Sequence, residues 1–122
     1  MKHANAFVKL VEDALKSVKE VSTDEVMTMR EKGEPFVLVD TREDREWKAG
    51  HIAGAHHIGR GVLERDIESR IPDHGAKIVL YCGGGYRSAL AAESLQKMGY
   101  DNVYSMAGGW REWFEKQYPC EI

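Results

Sequence analysis

Apolar residues recur at helical spacing near the start of the chain. Phe7, Val8, Leu10, Val11, Ala14, Leu15 and Val18 fall mostly three or four apart, with Lys9, Glu12, Asp13, Lys16 and Lys19 between them. This spacing predicts an amphipathic helix. Its apolar stripe fits either the chain's own core or a partner surface, and the pattern leaves that choice open. Ser22 and Glu25 have the spacing of a capping box, which predicts a helix to about Lys32, with Gly33 in the left-handed terminating position.

The period then changes. Phe36-Val37-Leu38-Val39 is a short continuous apolar run, as expected of a strand buried on both faces of a parallel sheet, and it ends at Asp40. Thr41 and Asp44 carry a weak cap signal for a short helix through Trp47 and Lys48, closed by Gly50. Ala55 to Ile58 reads as a short strand, and Val62 to Ile71 as a helix ahead of Pro72. Ile78-Val79-Leu80-Tyr81 is the clearest strand. Ser88 to Met98, rich in Ala and Leu, is a helix stopped by Gly99. Val103 to Met106 reads as the last strand and Trp110 to Gln117 as the last helix, with Trp110 and Trp113 expected in the core.

Strands alternating with helices at this spacing predict an α/β domain with a mainly parallel central sheet and helices on both faces, plus an extra N-terminal amphipathic helix. In such sheets, sites form beyond the carboxyl ends of the strands, where Asp40 and Cys82 fall. The length of 122 residues suits one domain. The expected organisation is an N-terminal helix over residues 1–20, the domain over 21–118 and a tail over 119–122.

Charge and composition narrow the partners. A formal net charge of −3 gives no basic footprint for a phosphate backbone, so no nucleic-acid partner is expected. No apolar stretch approaches the roughly 18 residues of a membrane span, and no signal-peptide core opens the chain, so no membrane partner is expected and a cytoplasmic location is. The two cysteines, Cys82 and Cys120, do not make a disulfide scaffold. Neither they nor the five histidines show zinc-site spacing, so neither metal nor cofactor is expected. Composition does not fix the oligomeric state.

The chemistry concentrates in Cys82-Gly83-Gly84-Gly85-Tyr86-Arg87-Ser88, a thiol at the end of a buried strand followed by three glycines and a helix. Glycine tolerates positive φ, so the amides of residues 83 to 87 can converge on one point as an anion-binding nest. The first turn of the next helix adds its unpaired N–H groups. Such surroundings favour the thiolate, the form of cysteine that acts as a nucleophile. A persulfide on Cys82 is also anionic, and the same amides suit its outer sulfur.

From about Ser22 to Phe114 the sequence resembles the rhodanese family. The loop is similar to that family's active-site loop, with four residues between Cys82 and Arg87, then Ser88. Val39-Asp40-Thr41-Arg42, Glu46-Trp47 and Gly50-His51-Ile52-Ala53-Gly54-Ala55 resemble its first signature, and Gly108-Gly109-Trp110 its last. The resemblance implies a rhodanese-like fold and a sulfurtransferase that moves a sulfane sulfur from thiosulfate or a persulfide to cyanide or a thiol. Cys82 would be the persulfide-forming residue. Gly83, Gly84, Gly85, Tyr86, Arg87 and Ser88 would bind substrate, with Asp40 and Arg42 mainly structural. Many family loops carry a second basic residue beside the cysteine, whereas this loop has Arg87 alone. That departure implies modest thiosulfate turnover and a small-molecule persulfide or a protein persulfide partner as donor.

Two other readings use the same fold. Cell-cycle phosphatases of similar fold place five residues between Cys and Arg, a wider cradle for a tetrahedral phosphate, and this chain places four. A non-enzymatic regulatory or binding module is the other, since fold does not fix function.

Overall fold

The computed structural model describes residues 2–122. In chain order the elements are α1 (Asn5–Ala14), β1 (Lys19–Val21), α2 (Thr23–Glu31), β2 (Val37–Asp40), α3 (Asp44–Ala49), β3 (His51–Ile52), β4 (His56–His57), α4 (Leu63–Arg70), β5 (Ile78–Tyr81), α5 (Tyr86–Lys97), β6 (Val103–Met106), α6 (Gly109–Glu115) and β7 (Cys120–Glu121). Five strands form a parallel sheet in the order β1-β6-β5-β2-β4. The α/β architecture with a parallel sheet is the one the periodicity predicts.

The central strand β5 explains why its sequence shows no alternation. Ile78 and Leu80 join Leu63, Ile67, Ala92 and Leu95 of α4 and α5 on one face, while Val79 and Tyr81 join Val26, Met29 and Trp113 of α2 and α6 on the other. With helices on both sides, all four positions are buried. Full burial of such a side chain is worth roughly 1.5–3 kcal/mol. Two packed layers therefore fix the end of β5, where the cysteine loop begins.

Local signals account for most boundaries. The α2 capping box forms as expected: Glu25 donates its amide to Ser22 Oγ at 3.0 Å, and Ser22 donates its amide to Glu25 Oε1 at 2.9 Å. The cap of α3 is Glu43, not Thr41 or Asp44; its amide donates to Glu46 Oε1 at 3.3 Å. Thr41 is held by β5 instead, since both its amide and its hydroxyl donate to the Tyr81 carbonyl at 2.9 Å.

Three strands have no clear signature in the sequence. The edge strand β1 pairs with β6 through Lys19, Glu20 and Val21 and straddles residue 20. β3 and β7 form a small antiparallel pair, His51 opposite Glu121 and Ile52 opposite Cys120, so the C-terminal segment lies on the domain. Helix α1 packs against α5, burying Val11 and Ala14 on this chain's own fold while Leu10 faces outward.

Candidate active site

Cys82 directly follows β5 and lies at the base of a cavity, 1% exposed. The Gly85 amide donates to its Sγ at 3.1 Å and the Ser88 amide at 3.4 Å. Gly85 has φ +97°, a left-handed conformation that turns the loop back over the sulfur and into α5. Among the described residues, the amides of Gly83, Gly84, Tyr86 and Arg87 meet no protein acceptor. Two amide donors thus hold the sulfur and four more of the same loop are left without protein acceptors, an arrangement suited to an anionic sulfur. The Cys82 thiol donates in turn to Ser88 Oγ at 3.6 Å, and that hydroxyl lies 2.7 Å from Ser105 Oγ, with both serines fully buried.

The last signature motif buttresses this loop. Trp110 donates its amide to the Cys82 carbonyl at 2.8 Å, and Arg111 donates its amide to the Gly83 carbonyl at 3.1 Å. A Cβ on Gly109 would stand 2.5 Å from the Cys82 carbonyl oxygen. Only glycine lets α6 approach so closely, and that approach sets the loop's height over the sheet.

The first signature braces the other side. Asp40 and Arg42, 0% and 3% exposed, form a fork with Arg42 Nη2 to Asp40 Oδ2 at 2.8 Å and Nε to both carboxylate oxygens at 3.1 Å. Arg42 also donates to the Gly50 carbonyl at 2.6 Å and lies over the Trp110 ring, 5.0 Å from its centroid. His51 stacks on Trp47 and hydrogen-bonds its carbonyl through Nδ1. Burial, with Asp40 nearby, pushes the Tyr81 phenol well above its ordinary range, so it stays neutral and accepts the Ile52 amide.

Arg87 is not a free charge. Its Nη1 and Nη2 donate to Glu46 Oε1 and Oε2 at 2.9 and 3.1 Å. That contact holds the Glu46 carboxyl below its usual value and raises the Arg87 guanidinium further.

The cavity over Cys82 measures about 550 Å³, and His3, Phe7, Tyr86, Trp110, Arg111 and Phe114 supply most of its remaining wall. Of these, sequence reasoning placed only Tyr86 at the site and missed the other five. His3 and Phe7 arrive because α1 lies across α5, with the Phe7 and Tyr86 rings 5.9 Å apart. Trp110 is partly buried against the core cluster of Trp113, as expected, but also lines the cavity and meets Phe114, whereas Trp113 is fully buried. Arg111 had one signal, its place directly after Gly108-Gly109-Trp110. Cys120 lies in β7 and both cysteines are free. Among the described residues, no cluster of His, Cys, Asp and Glu is suited to hold a metal ion, and no helix is long and apolar enough to cross a membrane.

Comparison with known proteins agrees with this geometry. The family of rhodanese-like domains matches residues 22–116. A thiosulfate sulfurtransferase, GlpE of Pseudomonas fluorescens, is 35% identical over 104 residues, covering 85% of this chain and 91% of its own. Among solved structures, the human single domain sulfurtransferase TSTD1 is 28% identical with a TM-score of 0.72, covering 82% of this chain and 98% of its own. A Rhodopseudomonas palustris protein of unknown function, described as a possible tyrosine phosphatase, is 29% identical with a TM-score of 0.84, covering 99% of this chain and 98% of its own. The loop around Cys82, its two bracing signatures and the extent of these matches lead to one statement: the chain belongs to the family of rhodanese-like domains.

Proposed function

We propose that the chain is a sulfurtransferase that carries a sulfane sulfur as a persulfide on Cys82, accepting it from a small-molecule or protein donor and passing it to cyanide or a thiol. The observation that carries this reading is the pair of amides on Sγ, with four more amides of the cavity-lining loop lacking protein acceptors. Thiosulfate sulfurtransferases among its relatives support the same reading.

The Cys82 thiolate attacks the outer sulfur of a donor such as thiosulfate. The new S–S bond forms as the bond to the leaving group breaks, and the electron pair departs with sulfite. Gly83, Gly84, Gly85, Tyr86 and Arg87 turn their amides toward the transferred sulfur, while Ser88 holds Sγ. An acceptor nucleophile then attacks that outer sulfur, and the pair in the S–S bond returns to Cys82 as thiolate. No net oxidation of the protein occurs, so neither metal nor redox cofactor enters. Asp40 and Arg42 hold the frame without touching the reacting sulfur.

The test is a donor panel of thiosulfate, mercaptopyruvate and glutathione persulfide, read by intact mass on wild type and Cys82→Ala. Gain of one sulfur by wild type alone is the expected result. No gain from any donor would favour a binding module. Phosphate release from an aryl phosphate, abolished by Cys82→Ser, would favour the phosphatase description attached to the Rhodopseudomonas neighbour.

A further inference from the structure

The loop's own arginine is compensated by Glu46 and the buried Arg42 by Asp40. One cation of the cavity is left. Among the described residues, the Arg111 guanidinium meets no carboxylate and no hydrogen-bond acceptor, although Glu115 lines the same wall. It lies against the loop that holds the sulfur. A Cβ on Gly84 would stand 3.4 Å from Arg111 Nη1, and one on Gly83 3.8 Å from Nη2. Its backbone is tied to the same loop through the Gly83 carbonyl, so the start of the side chain is fixed relative to Cys82.

We propose that Arg111, which lies outside the cysteine loop, is a specificity-determining residue that binds the anionic head of a thiosulfate-type sulfur donor. This rests on the persulfide reading above and deepens it. A planar guanidinium presents parallel N–H donors that match two oxygens of such a head. Attack by the Cys82 thiolate forms the S–S bond and breaks the bond from the sulfane sulfur to the sulfonyl sulfur. The electron pair leaves with sulfite or sulfinate, whose charge Arg111 faces. The second cation that the loop itself lacks is thereby supplied by α6. The cavity, about 550 Å³ with Phe7, Tyr86, Trp110 and Phe114 in its wall, also has room and apolar surface for an aromatic thiosulfonate.

Two measurements test this independently of each other. In turnover, Arg111→Ala is expected to raise KM for thiosulfate and for benzenethiosulfonate at least tenfold. The second step, release of sulfur from preloaded Cys82 to cyanide, should keep its rate. Arg111→Lys is expected to recover part of the loss, and Arg65→Ala, which removes an exposed charge on α4, to change KM less than twofold. In binding, the unreactive Cys82→Ser protein is titrated with thiosulfate and followed by tryptophan fluorescence, since Trp110 lines the cavity. Adding Arg111→Ala should weaken that affinity at least tenfold.

A KM or affinity for Arg111→Ala within twofold of the Arg65→Ala control overturns the proposal, as does absence of saturable thiosulfate binding to Cys82→Ser. If wild type gains no sulfur from any donor, the transferase reading fails while the titration still decides the role of Arg111. The two thiosulfonyl arms separate the sources. A lower KM for benzenethiosulfonate that Phe7→Ala raises to that of thiosulfate assigns the aromatic wall to the donor. Equal KM values for the two confine recognition to the anionic head.

Discussion

Glu46 holds both guanidinium nitrogens of Arg87, at 2.9 and 3.1 Å, across the mouth of the cysteine loop. A residue from the first signature thereby fixes the arginine of the cysteine loop, and the pair contributes position more than net charge.

That pair sets an acid limit. The Arg87 hydrogen bond lowers the folded-state pKa of Glu46 from its ordinary 4.5. Its contribution is therefore fully present above the unfolded value near 4.5 and disappears as pH falls through the lower folded value. Glu46→Gln is expected to cost about 0.2–1 kcal/mol at pH 7, the scale of a solvent-screened pair. Urea midpoints of the two proteins should converge on acidification through that range. A gap that stays constant from pH 7 to pH 3 would refute the assignment.

Asp40 and Arg42 belong to a different regime, because both are buried. Removing one partner leaves the other charged and desolvated, which costs about 3–5 kcal/mol. Asp40→Asn keeps one acceptor for Arg42 and is expected near the low end, with Arg42→Met worse because it orphans the carboxylate. Denaturant melts read the loss. Sulfur loading per folded molecule should remain within about twofold of wild type; a deeper loss at full folding would put Asp40 in contact with the reaction.

What was readable beforehand follows from where each signal resides. Ile78 to Tyr81 and Phe36 to Val39 announce themselves because strands covered on both faces must be apolar at every position. The cysteine loop was readable because its chemistry is contiguous. β1 was not, since its Lys19 and Glu20 are exposed and it is held by main-chain pairing to β6, a contact with no side-chain signature. Arg111 had only its place after Gly108-Gly109-Trp110 to mark it, and that motif does not say that α6 starts on the carbonyls of Cys82 and Gly83. The α1 stripe foretold a helix but not its seat on α5, so His3 and Phe7 could not be assigned to the cavity.

Gly109 separates backbone strain from close approach. At Gly33, with φ +70° and open space around it, alanine pays only the left-handed cost of roughly 1–2 kcal/mol. At Gly109, with φ +56°, the new Cβ also strikes the Cys82 carbonyl oxygen and the Gly83 carbonyl group. Overpacking adds about 1–3 kcal/mol, and relief requires the loop to move. Gly109→Ala is expected to lose sulfur loading together with stability, while Gly33→Ala loses stability alone. Normal loading by folded Gly109→Ala would mean that α6 does not set the loop.

Ser88 and Ser105 allow support of the sulfur to be separated from support of the fold. Their hydroxyls are 2.7 Å apart and fully buried, and only Ser88 also reaches Cys82 Sγ. Ser88→Ala leaves the buried Ser105 hydroxyl without its partner, a cost of about 1–3 kcal/mol, whereas Ser105→Ala leaves Ser88 its contact with Cys82 and costs less. Removing both leaves none unsatisfied, so Ser88→Ala with Ser105→Ala should be more stable than the sum of the singles predicts. Activity should not follow that recovery. The thiol donates to Ser88 Oγ at 3.6 Å, and once it ionises the hydroxyl can turn to donate to the thiolate; Ser88→Ala is therefore expected to slow persulfide formation about tenfold, less than the 10²–10³ of a fully aligned donor, because the contact is long. The double variant should remain as slow as Ser88→Ala while Ser105→Ala stays near wild type. If rate instead tracks stability across the three proteins, Ser88 acts only through packing, and the amides of Gly85 and Ser88 hold the sulfur without it.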